Sequence, residues 1–259
     1  MDFDHVKRVG IAAAYKGGAV LRSYLGKLTK IDKKGPADLV TLADIESEKI
    51  IIKTIGSSFP NHSFLAEESG PAENNKECKW IIDPLDGTTN FAHQIGMFAV
   101  SIAFEFRNEI VVGIVYNPET EELFTAVKGQ GALLNQTKIK TSAISEISES
   151  LLVTGFPYNI REDIDTIISR LVNCMKASQG VRRLGSAALD LCYVACGRFE
   201  AFWEQNLNPW DTAAGVLIAK EAGVLVTDFE GNTYSIYGNE LLASNSKIHE
   251  KIMALLELK

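Results

Sequence analysis

The chain has 259 residues, 46% of them apolar and 23% charged, which is enough apolar material for a full buried core and excludes a disordered chain, a collagen or a disulfide-stapled miniprotein. Thirty-three Asp plus Glu against 26 Lys plus Arg give a net charge of -7, so no overall basic excess attracts nucleic acid or an anionic membrane, and an anionic substrate needs positive charge supplied locally. The longest uncharged stretch, Gly87 to Phe104, carries Thr88, Thr89, Asn90, His93 and Gln94 and is too polar to cross a bilayer.

The first 25 residues place Val6, Val9, Ala13, Gly17, Val20 and Tyr24 at three-and-four spacing, which predicts a helix. The N-terminal Met1-Asp2-Phe3-Asp4-His5 has acid where a signal peptide carries base, so we expect a cytoplasmic protein. A second helix is predicted over Asp44 to Ile55, stopping before Ser57-Ser58-Phe59-Pro60. From Lys79 to Leu134 the pattern is mostly strand: Trp80 to Ile82, Phe98 to Phe106, Ile110 to Tyr116, Leu123 to Val127 and Ala132 to Leu134. Short turns such as Arg107-Asn108-Glu109 and Lys128-Gly129-Gln130-Gly131 predict an antiparallel meander.

Near residue 140 the rhythm changes to alternating strands and helices. We expect strands at Leu151 to Thr154, Val181 to Arg183, Glu200 to Trp203, Leu225 to Thr227 and Glu240 to Ala243. Helices are expected over Glu162 to Lys176, Ala187 to Cys196, Trp210 to Ala222 and Lys247 to Leu258. The expectation is a single α/β unit over 1–259, with an N-terminal α+β half (1–140) beside a C-terminal α/β half (141–259). Cys78, Cys174, Cys192 and Cys196 lack C-x-x-C spacing and read as reduced thiols.

The chemistry concentrates in Trp80-Ile81-Ile82-Asp83-Pro84-Leu85-Asp86-Gly87-Thr88-Thr89-Asn90-Phe91, a strand ending in two carboxylates and a turn. Pro84 fixes the backbone between Asp83 and Asp86, and Gly87 lets the chain turn so that the amides of Gly87 and Thr88 open a short helix, a favourable place for an anion. Carboxylates beside such a nest make sense if hard cations such as Mg²⁺ lie between them and the anion. The Asp-x-x-Asp spacing alone is more often an Asp-rich turn with no ligand.

The longer string Asp83-Pro84-Leu85-Asp86-Gly87-Thr88-Thr89-Asn90-Phe91 resembles the first motif of the inositol monophosphatase family, Mg²⁺-dependent, lithium-sensitive phosphatases. Asn208-Pro209-Trp210-Asp211-Thr212-Ala213-Ala214-Gly215, followed by Glu221-Ala222-Gly223, resembles its second. Further matches are Pro36-Ala37-Asp38-Leu39-Val40-Thr41 leading to Asp44, Phe64-Leu65-Ala66-Glu67-Glu68-Ser69 and Gly185-Ser186-Ala187-Ala188-Leu189-Asp190. Arg182-Arg183-Leu184 and Gly155-Phe156-Pro157-Tyr158 resemble the bacterial branch. The resemblance covers about residues 5 to 255, and Val224 departs from it where a second glycine is usual.

The resemblance implies a layered αβαβα sandwich of the inositol monophosphatase and fructose-1,6-bisphosphatase type. It implies two to three Mg²⁺ per subunit: one on Glu67, Asp83, the Leu85 carbonyl and the Thr88 hydroxyl, a second on Asp83, Asp86 and Asp211, and a weaker third on Glu67 and waters. Thr88 and Asp44, with Glu67, would orient and deprotonate the attacking water, and the amides of Gly87 and Thr88 would hold the phosphate. Glu204 would accept hydroxyls of a small phosphorylated polyol, inositol 1-phosphate first, with Ala187 and Asp211 completing the substrate wall. Lys33, in the charge run Lys30 to Lys34, matches a mobile loop. A homodimer is implied. Taken singly, Asp211 and Asp44 are also ordinary helix-start acids and Glu67 and Glu204 ordinary surface acids. The alternatives are fructose-1,6-bisphosphatase or 3′-nucleotide phosphatase activity, or a regulatory role in transcription or RNA metabolism using the pair Arg182-Arg183.

Overall fold

A computed structural model describes residues 1–27, 31–33, 39–157 and 159–258, with only the backbone for 31–33 and 39–41. Lys30, Lys34, Pro36, Ala37, Asp38 and Tyr158, and the side chain of Lys33, lie outside the described residues.

The N-terminal helix α1 (Phe3–Tyr24) starts where Asp2 Oδ1 accepts a hydrogen bond from the His5 amide at 3.0 Å, and it buries Val6, Ala13, Ala14 and Leu21. A short antiparallel hairpin, β1 (Ile31–Lys33) and β2 (Leu39–Thr41), leads into α2 (Leu42–Ser58). The sequence predicted that α2 would stop before Ser57. Proline restricts only its immediate predecessor, Phe59, so both serines complete the last turn and Ser57 Oγ donates to the Lys53 carbonyl.

The first sheet consists of β3 (Ser63–Ala66), β4 (Gly70–Ala72), β5 (Cys78–Asp86), then, after the short helix α3 (Thr88–Ala92), β6 (Ala99–Phe106), β7 (Glu109–Asn117), β8 (Glu122–Val127), β9 (Ala132–Leu134) and β10 (Thr137–Lys138). Its order is β10-β9-β8-β7-β6-β5-β3-β4. The predicted meander runs antiparallel from β5 to β10, and the β6–β7 turn has positive φ at Arg107 and Asn108, as a two-residue hairpin turn requires. The β3–β4 hairpin was not expected: β3 has only four residues and β4 reads Gly-Pro-Ala. β3 lies parallel to β5.

The second sheet contains β11 (Leu151–Thr154), β12 (Gly180–Arg182), β13 (Ala201–Gln205), β14 (Val224–Thr227) and β15 (Glu240–Asn245), ordered β12-β11-β13-β15-β14. The helices of this half are α4 (Ile164–Ala177), α5 (Ala187–Ala195), α6 (Pro209–Glu221) and α7 (His249–Leu256). The predicted start of α4 at Glu162 is instead a 3-10 turn over Ile160–Glu162.

Period-two alternation distributes the side chains between layers. Trp80 and Ile82 face α1 and α2, where they pack with Val6, Ala13, Ile51 and Ile55. Ile81 faces the opposite way, into a core shared with Leu191, Ala214 and Ile218 of α5 and α6 and with Val153, Phe202 and Ala243 of the second sheet. Leu152, Trp203 and Leu242 point outward to α4 and α7. Five layers result, α1/α2, first sheet, α5/α6, second sheet and α4/α7, which is the αβαβα sandwich expected. Strands buried on both faces read as nearly continuous apolar runs. No helix among the described residues is long and apolar enough to cross a membrane.

Candidate active site

β5 pairs with β6 residue by residue as far as Asp83↔Ser101, slips, and resumes at Asp86↔Ala99. Residues three apart on a regular strand face opposite ways; one extra residue in a bulge puts them on the same side. Pro84, which has no amide hydrogen to give the ladder, and Leu85 form that irregularity. The strand therefore runs through both carboxylates instead of ending before them. Asp83 is 1% and Asp86 9% exposed.

Each expected ligand has a partner in the protein. Asp83 Oδ1 accepts from the Leu85 amide at 2.9 Å, and Thr88 Oγ1 donates to the Leu85 carbonyl at 3.0 Å, so two expected ligands are bonded to each other. Asp86 Oδ2 accepts from Ser186 Oγ at 2.5 Å and from the Ala188 amide at 2.8 Å, which joins the end of β5 to the start of α5. Asp211 Oδ2 accepts from the Asn208 amide at 2.7 Å within a capping box at the start of α6, so the ordinary reading of Asp211 as a helix cap also holds. Gly87 links β5 to α3 at φ +91, and a Cβ there would stand 2.8 Å from the Met97 carbonyl oxygen.

A cleft of about 370 Å³ gathers Asp86, Gly87, Thr88, Ala187, Glu204 and Asp211 on its walls. Asp44, Glu67, Asp83 and Leu85 lie outside that lining. They are electrostatically part of it nonetheless: burial, then Glu67, Asp86, Asp211 and Asp44, drive the Asp83 carboxyl well above the usual carboxylate range. Burial raises Asp86 to about 6 against the opposing Ser186 and Ala188 hydrogen bonds, and burial followed by Asp86 raises Asp211. Glu204, 8% exposed on β13, is raised to about 8 by burial and then by Asp211.

Among the described residues, no three His, Cys, Asp or Glu side chains converge round one point as they stand. Mutually repelling acids lower their energy by turning toward backbone donors, as Asp83, Asp86 and Asp211 do. The donor set is all oxygen, including three buried or half-buried aspartates, so its chemistry fits a hard divalent cation.

The sequence reading missed two supports from α2. Ser47 Oγ donates to the Pro84 carbonyl at 3.1 Å, and Glu48, 4% exposed, accepts from the amides of Glu68 and Ser69 at 2.8 and 3.0 Å, fixing the turn that carries Glu67. Asp44, Ser47 and Glu48 stand at i, i+3 and i+4, and three polar residues on the buried face of a helix were the available signal. Asp190 on α5, 1% exposed, is a further buried acid near Glu204 and Asp86.

The profile described as inositol monophosphatase family matches residues 2–258. A Vibrio cholerae protein named Nus factor SuhB is 45% identical over 242 residues, 92% of this chain and 91% of that one. An inositol-1-monophosphatase of Synechocystis is 43% identical over 251 residues, 96% of this chain and 87% of its own. The solved structure of inositol monophosphatase from Anabaena superposes with a TM-score of 0.90 at 42% identity, covering 99% of this chain and 96% of that chain.

Proposed function

The chain belongs to the inositol monophosphatase family, and on that premise we propose that it is a Mg²⁺-dependent phosphomonoesterase acting on inositol 1-phosphate. The observation that carries this reading is the meeting in one cleft of Asp86, Gly87 and Thr88 from the β5–α3 junction with Glu204 and Asp211, more than 100 residues later in the chain.

Glu67, Asp83, Asp86, Asp211, the Leu85 carbonyl and the Thr88 hydroxyl would hold two Mg²⁺, with Glu67 sharing a third. A bound divalent cation supplies Lewis acidity, neutralising phosphate charge and lowering the pKa of water. The remaining work falls to the chain. The amides of Gly87 and Thr88 seat the phosphate oxygens. Because the Thr88 hydroxyl proton is committed to the Leu85 carbonyl, its oxygen is left to accept from the attacking water and orient it. Asp44, 1% exposed at the start of α2, takes the proton. The water oxygen forms the new bond to phosphorus, the bond to the ester oxygen breaks, and the released alcohol ends with one proton from water. Glu204 meets the polyol hydroxyls opposite Ala187.

Phosphate release tests the proposal: purified protein with Mg²⁺ is given inositol 1-phosphate, fructose 1,6-bisphosphate and adenosine 3′,5′-bisphosphate at equal concentration. Preference for inositol 1-phosphate supports it; preference for another ester reassigns the Glu204 wall; no release from any of them sinks it. A cytoplasmic homodimer is part of the same proposal, and gel filtration tests its dimeric half. The name Nus factor borne by the Vibrio relative favours a second reading, a surface role in transcription or RNA metabolism beside catalysis. Partner capture that survives Asp83→Asn would support that role.

A further inference from the structure

The cleft is lined by Asp86, Glu204 and Asp211, yet it also contains Arg183, the one cation among the described residues on its wall. In an acidic chain an arginine pair such as Arg182-Arg183 is ordinarily salt-bridged or at a subunit interface. Among the described residues Arg183 forms no ion pair and donates no hydrogen bond, and its side chain is exposed at the mouth.

Its position is nevertheless fixed. The guanidinium carbon lies 5.8 Å from the centroid of the Phe156 ring, another wall residue. Nη1 packs onto Gly185, where a Cβ would stand 2.7 Å away at a backbone φ of +87 that disfavours any side chain. Asn90 of α3 holds the turn after Arg183 by donating from Nδ2 to the Leu184 carbonyl at 2.7 Å, the same side chain that reaches the Met97 carbonyl. An aromatic face, a glycine and an anchored turn thus present a planar five-donor cation to the cleft, with its donors uncommitted among the described residues.

Its charge acts through space on Asp86, Asp190 and Glu204, but among the described residues no carboxylate is in hydrogen-bond contact with it, which leaves its donors suited to an anion brought by the ligand. Gly87, Thr88 and Arg183 line the same cleft, and in the reading above the Gly87 and Thr88 amides already seat the phosphate being cleaved, which leaves Arg183 for an anion carried by the alcohol. Resting on the phosphatase reading above, we infer that Arg183 is a specificity residue for phosphomonoesters whose alcohol bears a second anionic group, a carboxylate or a second phosphate. Polyol monophosphates use the Glu204 wall of the same cleft. The hydrolytic step and its atom balance are those already given; only the grip on the departing alcohol differs.

Two matched pairs test this and separate the two anions. The carboxylate pair is 2-phosphoglycerate against glycerol 2-phosphate; the phosphate pair is fructose 1,6-bisphosphate against fructose 1-phosphate. At low ionic strength the wild type shows kcat/KM about tenfold higher for the two-anion member of at least one pair, a preference that shrinks as salt screens it. Arg183→Met keeps the stem over Phe156 and removes the charge. It lowers kcat/KM for that member by at least tenfold more than for its one-anion partner, mainly through KM, and Arg183→Lys recovers part of the loss. No preference in either pair, or an equal loss on both members, overturns the inference while leaving the phosphatase intact. No phosphate from any of the four esters overturns the phosphatase reading and this inference with it.

Discussion

The Glu204 carboxylate lies directly across the backbone of Gly155: a Cβ at Gly155 would stand 1.9 Å from Oε2 and 2.4 Å from Oε1. The two residues are neighbours because β11 runs parallel to β13, with Thr154 opposite Trp203 and Thr154 Oγ1 donating to the Trp203 carbonyl at 2.7 Å. Gly155→Ala therefore forces Glu204 out of its place without touching the Asp83–Thr88 turn. The expected result is a KM for inositol 1-phosphate raised about tenfold, the worth of one lost charged hydrogen bond, with kcat changed less than KM. A KM equal to the wild type would remove Glu204 from the substrate wall.

Ser186 acts on both sides of the cleft. Its hydroxyl donates to Asp86 Oδ2, and its oxygen caps α5 by accepting from the Leu189 amide at 3.4 Å. Ser186→Ala removes a helix cap, costing about 1 kcal/mol, and one donor to a buried carboxylate, costing about 1.5–3 kcal/mol. A lower melting temperature and a kcat/KM at least about tenfold lower are expected, because Asp86 loses the group that orients it. Ser186→Thr keeps both hydrogen bonds and restores most of each. Unchanged melting and turnover in the alanine variant would show that the Ala188 amide alone suffices.

These relationships mark the limit of what the sequence makes legible. The continuous apolar runs Trp80-Ile81-Ile82 and Leu151 to Val153 reflect burial on both sheet faces, a local property, so the strands could be anticipated from the residues, whereas the five layers were implied by the family resemblance. Asp83, Asp86 and Asp211 were readable because they sit in long fixed strings. The supports were not, because each depends on a partner distant along the chain: Ser186 on Asp86, Ser47 on Pro84, Gly155 on Glu204. Whether Arg183 finds a carboxylate is likewise decided by tertiary contacts and not by its neighbours in the chain. The β3–β4 hairpin stayed hidden because strands of four and three residues, one containing proline, carry too little pattern.

Away from the cleft, His249 sets part of the acid stability. On α7 it bridges Ser244 Oγ through Nδ1 at 2.7 Å and Thr227 Oγ1 through Nε2 at 2.9 Å, tying the helix to β14 and β15. Thr227 Oγ1 donates to the Asp228 carbonyl at 2.6 Å, a shorter bond than the 3.2 Å from Ser244 Oγ to the Asn245 carbonyl, so for a neutral ring Thr227 is the better acceptor from Nε2–H and Ser244 the better donor to Nδ1. Burial holds the His249 pKa below its ordinary value, with Glu250 opposing. A depressed folded pKa gives stability that is present above the unfolded value of about 6.5 and lost as pH falls through the folded value. His249 and His62, which burial also depresses while it accepts from Trp80 Nε1, therefore each contribute a loss of stability below about pH 6.5, while the raised carboxyls of Asp83, Asp86, Asp211 and Glu204 contribute in the opposite direction as they protonate. His249→Gln should change the slope of stability with pH by up to about 1.4 kcal/mol per pH unit, toward less loss in acid, measured by urea unfolding between pH 5 and 7. An unchanged slope would show that His249 does not titrate across unfolding.

Asp83 gives the most direct test of the metal assignment, because it is the carboxylate on which all the others act. Burial and the charges of Glu67, Asp86, Asp211 and Asp44 all oppose its ionisation, so without cations this cluster strains the fold. Mg²⁺ at about 100 times its dissociation constant should stabilise the wild type by about 2.7 kcal/mol, roughly 5–10 °C in melting temperature for a chain of this size. Asp83→Asn removes one of the repelling charges and keeps the shape. In EDTA it should melt at or above the wild type, its response to Mg²⁺ should largely vanish, and turnover should fall about 100-fold or more. Circular dichroism melts with and without Mg²⁺, together with phosphate release, measure all three. A variant that still gains stability from Mg²⁺ and turns over at near-normal rate would place the cation elsewhere. One that melts far below the wild type in EDTA would make Asp83 a structural acid, its Leu85 hydrogen bond outweighing the repulsion of its neighbours.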